Sequence, residues 1–312
     1  MKPFSTLILV VYFLIQCSQK VDNSIPKTSF GTIDHIQSFP SQFFDDRTID
    51  VWLPDHYTPT KKYAVLYMHD GQMLFDSNIT WNKQEWGVDE VMGELIKQQK
   101  IKDCIVVGIW NKSETRHSDY FPQKPFENLP QKDQDSLIKN AKRNHQTNLF
   151  SMNIRSDAYL KFIVQELKPY IDQHYSTKKE KENTFIMGSS MGGLISMYAI
   201  CEYPEVFGGA ACLSTHWTGI FQHQNNPIPN LLITYLDQNL PNSSHHNKFY
   251  FDYGTETLDS LYEPFQLQVD FIMHKHHFTN KNWKTLKFEG HDHSENAWRS
   301  RLEHPLLFLL HP

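Results

Sequence analysis

Apolar residues recur along the chain in two rhythms. Arg47-Thr48-Ile49-Asp50-Val51-Trp52-Leu53 alternates polar and apolar, the pattern of a strand with one face in a core. Residues 63–68 and 104–109 are almost continuously apolar, as strands covered on both faces are. Residues 184–187, 209–213, 248–253 and 285–288 predict four more strands. Between the strands the spacing becomes helical. Residues 86–96 place Val88, Val91, Met92 and Leu95 on one face. Residues 157–175 do the same with Leu160, Ile163, Val164, Leu167 and Ile171, and Ser156 stands where it can cap that helix. Helices are also predicted over 191–202, over 260–274 and from about Glu295. Strands interleaved with helices predict an α/β fold, a mostly parallel central sheet with helices on both faces.

Two stretches break this rhythm. Residues 111–153 are polar and rich in Asp, Lys, Gln and Pro, and residues 216–246 hold several Asn and Pro. Both follow strands. Both are read as long loops over the carboxyl edge of the sheet, where α/β folds bind ligands.

Composition narrows the class. Of 312 residues, 39% are hydrophobic, with 21 Phe, 14 Tyr and 7 Trp, enough to build a sizeable core. A disordered or fibrous chain is excluded. Lys and Arg number 30 against 35 Asp and Glu, so the formal charge is −5 and nothing draws the chain to nucleic acid.

The first residues carry an address. Lys2 precedes nine apolar residues, 7–15. A bilayer span needs roughly 20, so the run has the layout of a secretory signal peptide. Leu14-Ile15-Gln16-Cys17 resembles a bacterial lipobox, with Gln16 in place of the usual small residue. The expected organisation is a signal peptide over 1–16, a tether over 17–28 with a lipidated Cys17, and one catalytic domain over 29–312. Such a protein is exported, either periplasmic or held at a membrane by its lipid. Cys104, Cys201 and Cys212 lie in apolar runs and read as small buried hydrophobes. No CxxC pair is present, so no structural zinc site is expected, and no other metal.

Gly188-Ser189-Ser190-Met191-Gly192-Gly193 carries the chemistry. It follows an apolar strand and opens a helix, the context of a G-x-S-x-G nucleophile elbow. That spacing makes Ser190 the nucleophile and Ser189 its neighbour. A serine needs a base, and the base needs an orienting carboxylate. In α/β hydrolases both follow the nucleophile in the chain. Phe288-Glu289-Gly290-His291-Asp292-His293-Ser294-Glu295 follows the last strand and offers His291 and His293. Asp252-Tyr253-Gly254-Thr255-Glu256-Thr257-Leu258-Asp259 closes the strand before it and offers Glu256 and Asp259; Asp252 belongs to the strand. The spacing alone leaves both choices open.

The chain resembles the putative-esterase family of α/β hydrolases, which includes esterase D, feruloyl and acetylxylan esterase domains, siderophore esterases and mycolyl transferases. The shared words are 63–76, ending His69-Asp70-Gly71-Gln72-Met73-Leu74-Phe75-Asp76, then the Ser190 elbow, Tyr203-Pro204-Glu205-Val206-Phe207, the 254–259 loop and Gly290-His291-Asp292-His293-Ser294-Glu295. The resemblance runs from about Ile49 to the end. It implies a single α/β-hydrolase domain and selects His293, whose successor is Ser. Related esterases carry the acid roughly three dozen residues before that histidine. Asp259 stands 34 before His293 and is preferred; Glu256 stands 37 before and is the alternative. Many relatives place the acid three residues after the loop glycine, where this chain has Thr257. The oxyanion hole is expected from the backbone N–H groups of Met191 and, by resemblance, Gln72.

The expected activity is ester hydrolysis through an acyl-enzyme, with no cofactor. Trp81, Trp86, Trp110, His216 and Trp217 lie near strand ends and are candidates for the substrate pocket. A small-molecule or glycan ester, or a siderophore ester, suits an exported bacterial enzyme. The competing readings are an acyltransferase or a peptidase on the same fold, or a catalytically inactive surface binding protein.

Overall fold

The computed structural model describes residues 25–144, 146–222 and 224–312. The signal peptide, Cys17 and most of the tether lie outside the described residues.

Among the described residues eight strands form one sheet. They are β1 (Thr32–Phe39), β2 (Arg47–Leu53), β3 (Ala64–His69), β4 (Cys104–Ile109), β5 (Thr184–Ser189), β6 (Gly209–Leu213), β7 (Lys248–Gly254) and β8 (Trp283–Phe288). Their spatial order is β1-β2-β4-β3-β5-β6-β7-β8. The β1–β2 and β2–β4 pairings are antiparallel and the others parallel. Every residue of β3, β4, β5 and β6 is buried, which accounts for their unbroken apolar runs. The edge strands β1 and β8 are mostly exposed or half-buried, and β1 buries only Phe39, so it lacks the apolar run that marks the central strands.

The helices are α1 (Val88–Lys97), α2 (Arg116–Tyr120), α3 (Gln123–Glu127), α4 (Gln131–Asn140), α5 (Ser156–Lys161), α6 (Lys168–His174), α7 (Met191–Glu202), α8 (Ile228–Asn239), α9 (Glu263–Lys275), α10 (Glu295–Arg301) and α11 (Glu303–Leu309). Two hydrophobic clusters cover the two faces of the sheet. In α7 every residue but Glu202 is buried, so this helix is apolar all round and lies inside the protein.

Both stretches expected as loops contain helices. α2, α3 and α4 occupy the first, and α8 occupies the second. α4 buries none of its residues and so shows no apolar stripe. α2 and α3 have only five residues each, too short for a period to register. Ser156 is not a cap. Arg155 takes that position, and the Ser156 hydroxyl accepts from the Gln123 N–H at 3.0 Å. Between α5 and α6 the chain continues as a π-helical stretch, Phe162–Leu167. The single helix expected over 260–274 is a 3₁₀ turn, Thr257–Leu261, followed by α9, with Pro264 in its first turn.

Candidate active site

The nucleophile candidate sits where β5 turns into α7. Ser190 has φ 57° and ψ −119°, a conformation a non-glycine residue adopts only under constraint. Backbone bonds hold it there. Its N–H donates to the Leu213 carbonyl at 2.9 Å, and its carbonyl accepts from the His216 N–H at 3.2 Å. The sharp turn brings β5 and α7 into contact. A Cβ on Gly188 would lie 2.8 Å from the Gly192 carbonyl carbon, with backbone on both sides of the clash. Gly188→Ala is therefore expected to cost about 1–3 kcal/mol of stability and most of the activity. Thermal unfolding and turnover of the purified variant check this; an unchanged Tm with full turnover contradicts it.

The base and acid candidates come from the ends of β8 and β7. Asp259 Oδ1 lies 2.5 Å from His293 Nδ1. Its other oxygen accepts from the Ser214 hydroxyl at 2.5 Å and the Gly254 N–H at 2.6 Å. Burial raises the pKa of this carboxyl, but His293, Ser214 and the Gly254 N–H outweigh it and hold Asp259 below the ordinary 3.8. Asp259 is buried, whereas the Glu256 side chain is exposed. Only Asp259 of the two is brought to the histidine.

The loops themselves are clamped together. The His291 carbonyl accepts from the N–H groups of both Thr255 and Glu256 at 3.0 Å. A Cβ on Gly254 would meet that carbonyl oxygen at 2.1 Å, so the acid loop requires glycine there. Thr257 stands where many relatives place the acid. Here its hydroxyl accepts from the His293 N–H at 2.9 Å. Thus His291 contributes through its backbone, and Thr257 holds the neighbouring loop.

Behind the acid lies a buried cation that the sequence pattern did not mark. Arg301 Nη2 donates to Ser214 Oγ at 2.7 Å and pairs with Asp252 Oδ1 at 3.0 Å and Asp259 Oδ2 at 3.6 Å. Trp298 Nε1 also donates to Ser214 Oγ, at 2.9 Å. Ser214 relays these donors to Asp259. Burial pushes the Asp252 carboxyl up to about 6, against the opposing pull of Arg301.

The loop after β3 faces the elbow. Asp70 is left-handed, with φ 59°, and begins the 3₁₀ turn Gly71–Met73. Arg116 grips its carboxylate with two donors at 2.7 and 2.6 Å, and Asn111 Nδ2 adds a third at 2.7 Å. The Asn111 N–H also donates to Gln72 Oε1 at 3.1 Å. A Cβ on Gly192 would reach Asp70 Oδ2 at 3.4 Å, so this loop and the elbow lie in van der Waals contact. Met191 is the first residue of α7, and its N–H is one of those a helix leaves without an internal acceptor. His69 lies beneath, its Nδ1 2.8 Å from the Tyr159 hydroxyl. Burial drives its pKa down to about 3, so it is neutral.

A cleft of about 1030 Å³ opens over these groups. Ser190, His293 and Gln72 line it, as do Trp81, Trp86 and Trp110. His216 and Trp217 do not, which corrects the expectation for those two. His216 is buried beside the site, with Nδ1 2.8 Å from the Tyr262 hydroxyl. Trp217 is buried against Phe251 and donates to Gln266. Tyr262 was missed altogether: its hydroxyl lies close enough to the Ser190 hydroxyl for that group to oppose the effect of burial on the phenol, and its ring stands edge-on to His293 with centroids 5.9 Å apart. Nothing in the sequence pattern marked it, because its place in the 3₁₀-to-α9 junction reads as ordinary helix core.

Among the described residues no cluster of His, Cys, Asp and Glu could hold a metal ion. Cys104, Cys201 and Cys212 are free and buried, and burial pushes their thiols well up.

Known proteins share this architecture. Over 179 residues the chain is 24% identical to the uncharacterized protein YjcH of Bacillus subtilis, covering 57% of this chain and 59% of that one. The chain thus spans about three fifths of that curated relative. A CE1 ferulic acid esterase from Anaeromyces mucronatus superposes with a TM-score of 0.58 at 18% identity, over 94% of this chain and 97% of the other. The enterobactin esterase FES from Shigella flexneri superposes with a TM-score of 0.60 at 16% identity, over 91% and 60%. At these identities the structural likeness shows the α/β-hydrolase fold. The model of the family described as Putative esterase matches residues 41–309, and the chain belongs to that family.

Proposed function

We propose that the protein is a serine carboxylic-ester hydrolase with Ser190, His293 and Asp259 as its catalytic triad. The carrying observation is the Asp259–His293 pair, 2.5 Å apart, on the wall of the cleft that also exposes the constrained Ser190. With Nδ1 committed to Asp259, Nε2 is the nitrogen that takes the Ser190 proton. Ser190 Oγ then attacks the ester carbonyl. The tetrahedral oxygen is met by the N–H groups of Met191 and Gln72, and two such donors supply roughly 3–4 kcal/mol each in comparable sites. His293 returns the proton to the leaving alcohol. Water then enters, gives a proton to His293 as its oxygen attacks the acyl carbonyl, and the acid leaves as His293 returns that proton to Ser190 Oγ. Glu256 is the alternative acid and lacks the contact.

Tyr262 bears on the resting state. Its phenol is buried and its pKa is raised far above 10 by burial, so it stays neutral. It pairs with His216 Nδ1 at 2.8 Å and lies beside the Ser190 hydroxyl, a ground-state contact that Ser190 leaves when it turns to His293. Bonds made only in the ground state slow a reaction. Tyr262→Phe is expected to leave kcat unchanged or raise it by up to about threefold. A loss of a hundredfold in steady-state kcat, with an intact fold, would instead put Tyr262 in the chemistry.

Ferulate and siderophore esters are the substrate classes suggested by the names of the structural neighbours. A glycan-linked ester outside the cytoplasm fits the leader pattern at Lys2 and residues 7–15, with lipid attachment at Cys17. The deciding experiment is hydrolysis of p-nitrophenyl acetate and butyrate before and after a serine-directed phosphonate. Turnover that the phosphonate abolishes, with the label on Ser190, supports the reading. No turnover on any ester, with an unlabelled Ser190, defeats it in favour of a binding protein. Transfer to an added alcohol that outpaces hydrolysis makes it an acyltransferase.

A further inference from the structure

The cations lining the cleft are nearly all committed. Arg116 is held by Asp70, Lys112 pairs with Asp46 at 3.1 Å, and Arg47 pairs with Asp119 at 2.8 Å. Lys83 donates to the Asn78 carbonyl. Arg143 is different. It lines the same cleft as Ser190, and its guanidinium meets no acceptor or carboxylate among the described residues.

After α4, Lys142 bridges Asn148 and the Arg143 N–H donates to the Thr147 carbonyl at 2.9 Å. Leu149 and Phe150, which follow the bridge, are buried in the core. Arg143 thus starts from a backbone tied to a bridge that the core anchors. Arg143 is exposed at the rim of the cleft, where partial desolvation and then the like charge of Arg116 lower the pKa of the guanidinium, though it remains charged. A free anion in the cleft would offset both effects. Glu114, on the loop after β4, lines the cleft as well but makes no pair with Arg143.

We propose that Arg143 anchors an anionic group of the substrate, so that the preferred ester carries a carboxylate away from the scissile bond. A planar guanidinium with five donors matches a carboxylate in two parallel hydrogen bonds. This inference rests on the esterase reading above.

Two pairs of esters test it. One is 4-acetoxybenzoate with 4-acetoxybenzamide, which places the charge on the alcohol. The other is the mono-p-nitrophenyl ester of terephthalic acid with its carboxamide, which places the charge on the acyl group. In at least one pair the carboxylate is expected to exceed its neutral partner in kcat/KM by about tenfold, mostly through KM. Arg143→Gln should bring that ratio near one while leaving turnover of the neutral ester within about twofold. Arg143→Lys should retain part of the preference. Raising ionic strength from about 0.02 to about 0.2 M should shrink it, because the pair stands at an open rim. A ratio unmoved by Arg143→Gln, or a preference for the carboxamide in both pairs, overturns the proposal. The esterase reading fails separately, by the absence of Ser190-dependent turnover on the neutral members.

Discussion

Ser190→Ala is expected to lower kcat by about 10⁴–10⁶ while the protein stays folded. The activity falls because no other nucleophile stands at the elbow. The fold survives because the constraints on residue 190 are backbone bonds, to Leu213 and His216, which alanine keeps. Losing the hydroxyl also removes its contact with Tyr262, which still has His216. Ser189 lies buried beside Ser190 and also lines the cleft, so it is the proper control. Ser189→Ala should retain turnover within about tenfold. His293→Ala should fall as far as Ser190→Ala, and the double variant no further, because the groups act as one unit. Steady-state kcat on p-nitrophenyl butyrate with Tm for each variant measures all of this. A Ser189→Ala enzyme that is dead beside a live Ser190→Ala enzyme ends the elbow assignment.

The elbow was legible because it needs two glycines at fixed offsets, and the steric reason is local. Gly188 and Gly192 touch one another four residues apart. The parallel sheet was legible for a similar reason: strands buried on both faces leave unbroken apolar runs. What the sequence hid has a different character. The choice between Asp259 and Glu256 depends on which side chain a 3₁₀ turn points inward, and no periodicity reports that. Arg301 lies 111 residues after Ser190, on a helix whose charged residue reads as solvated surface; it is buried because β6 and β7 bring Ser214 and Asp252 to meet it. Trp217 and His216 were placed in the pocket because they follow β6. The chain turns inward there, with Ser214 at φ 43°, and carries both rings beneath the cleft instead of into it. Arg143 follows α4, which buries none of its residues and so shows no pattern, and only the folded chain brings it to the wall of the cleft that holds Ser190.

Asp259→Asn is expected to cost about 10⁴ in kcat, the loss seen when a reference triad is changed in the same way. Asparagine can occupy the same volume, but its amide carries no charge to stabilise the imidazolium and can present N–H to His293 Nδ1, fixing the wrong tautomer. The surrounding donors make the substitution more severe. Ser214 Oγ, the Gly254 N–H and Arg301 all converge on Oδ2, so an amide placed with its NH₂ toward them would face donors only. It must therefore turn that NH₂ toward His293, which is the damaging orientation. Stability carries an independent sign. The folded pKa of Asp259 is depressed, so its ionisation contributes stability above about pH 4 that is lost as pH falls through the folded value. Asp259→Asn should lose stability at pH 7 and show a shallower decline on acidification than the parent. Glu256→Gln, at an exposed side chain, should change kcat by less than about threefold and leave Tm at pH 7 near that of the parent. The result that would move the acid to Glu256 is the reverse pairing: an active Asp259→Asn enzyme and an inactive, folded Glu256→Gln enzyme.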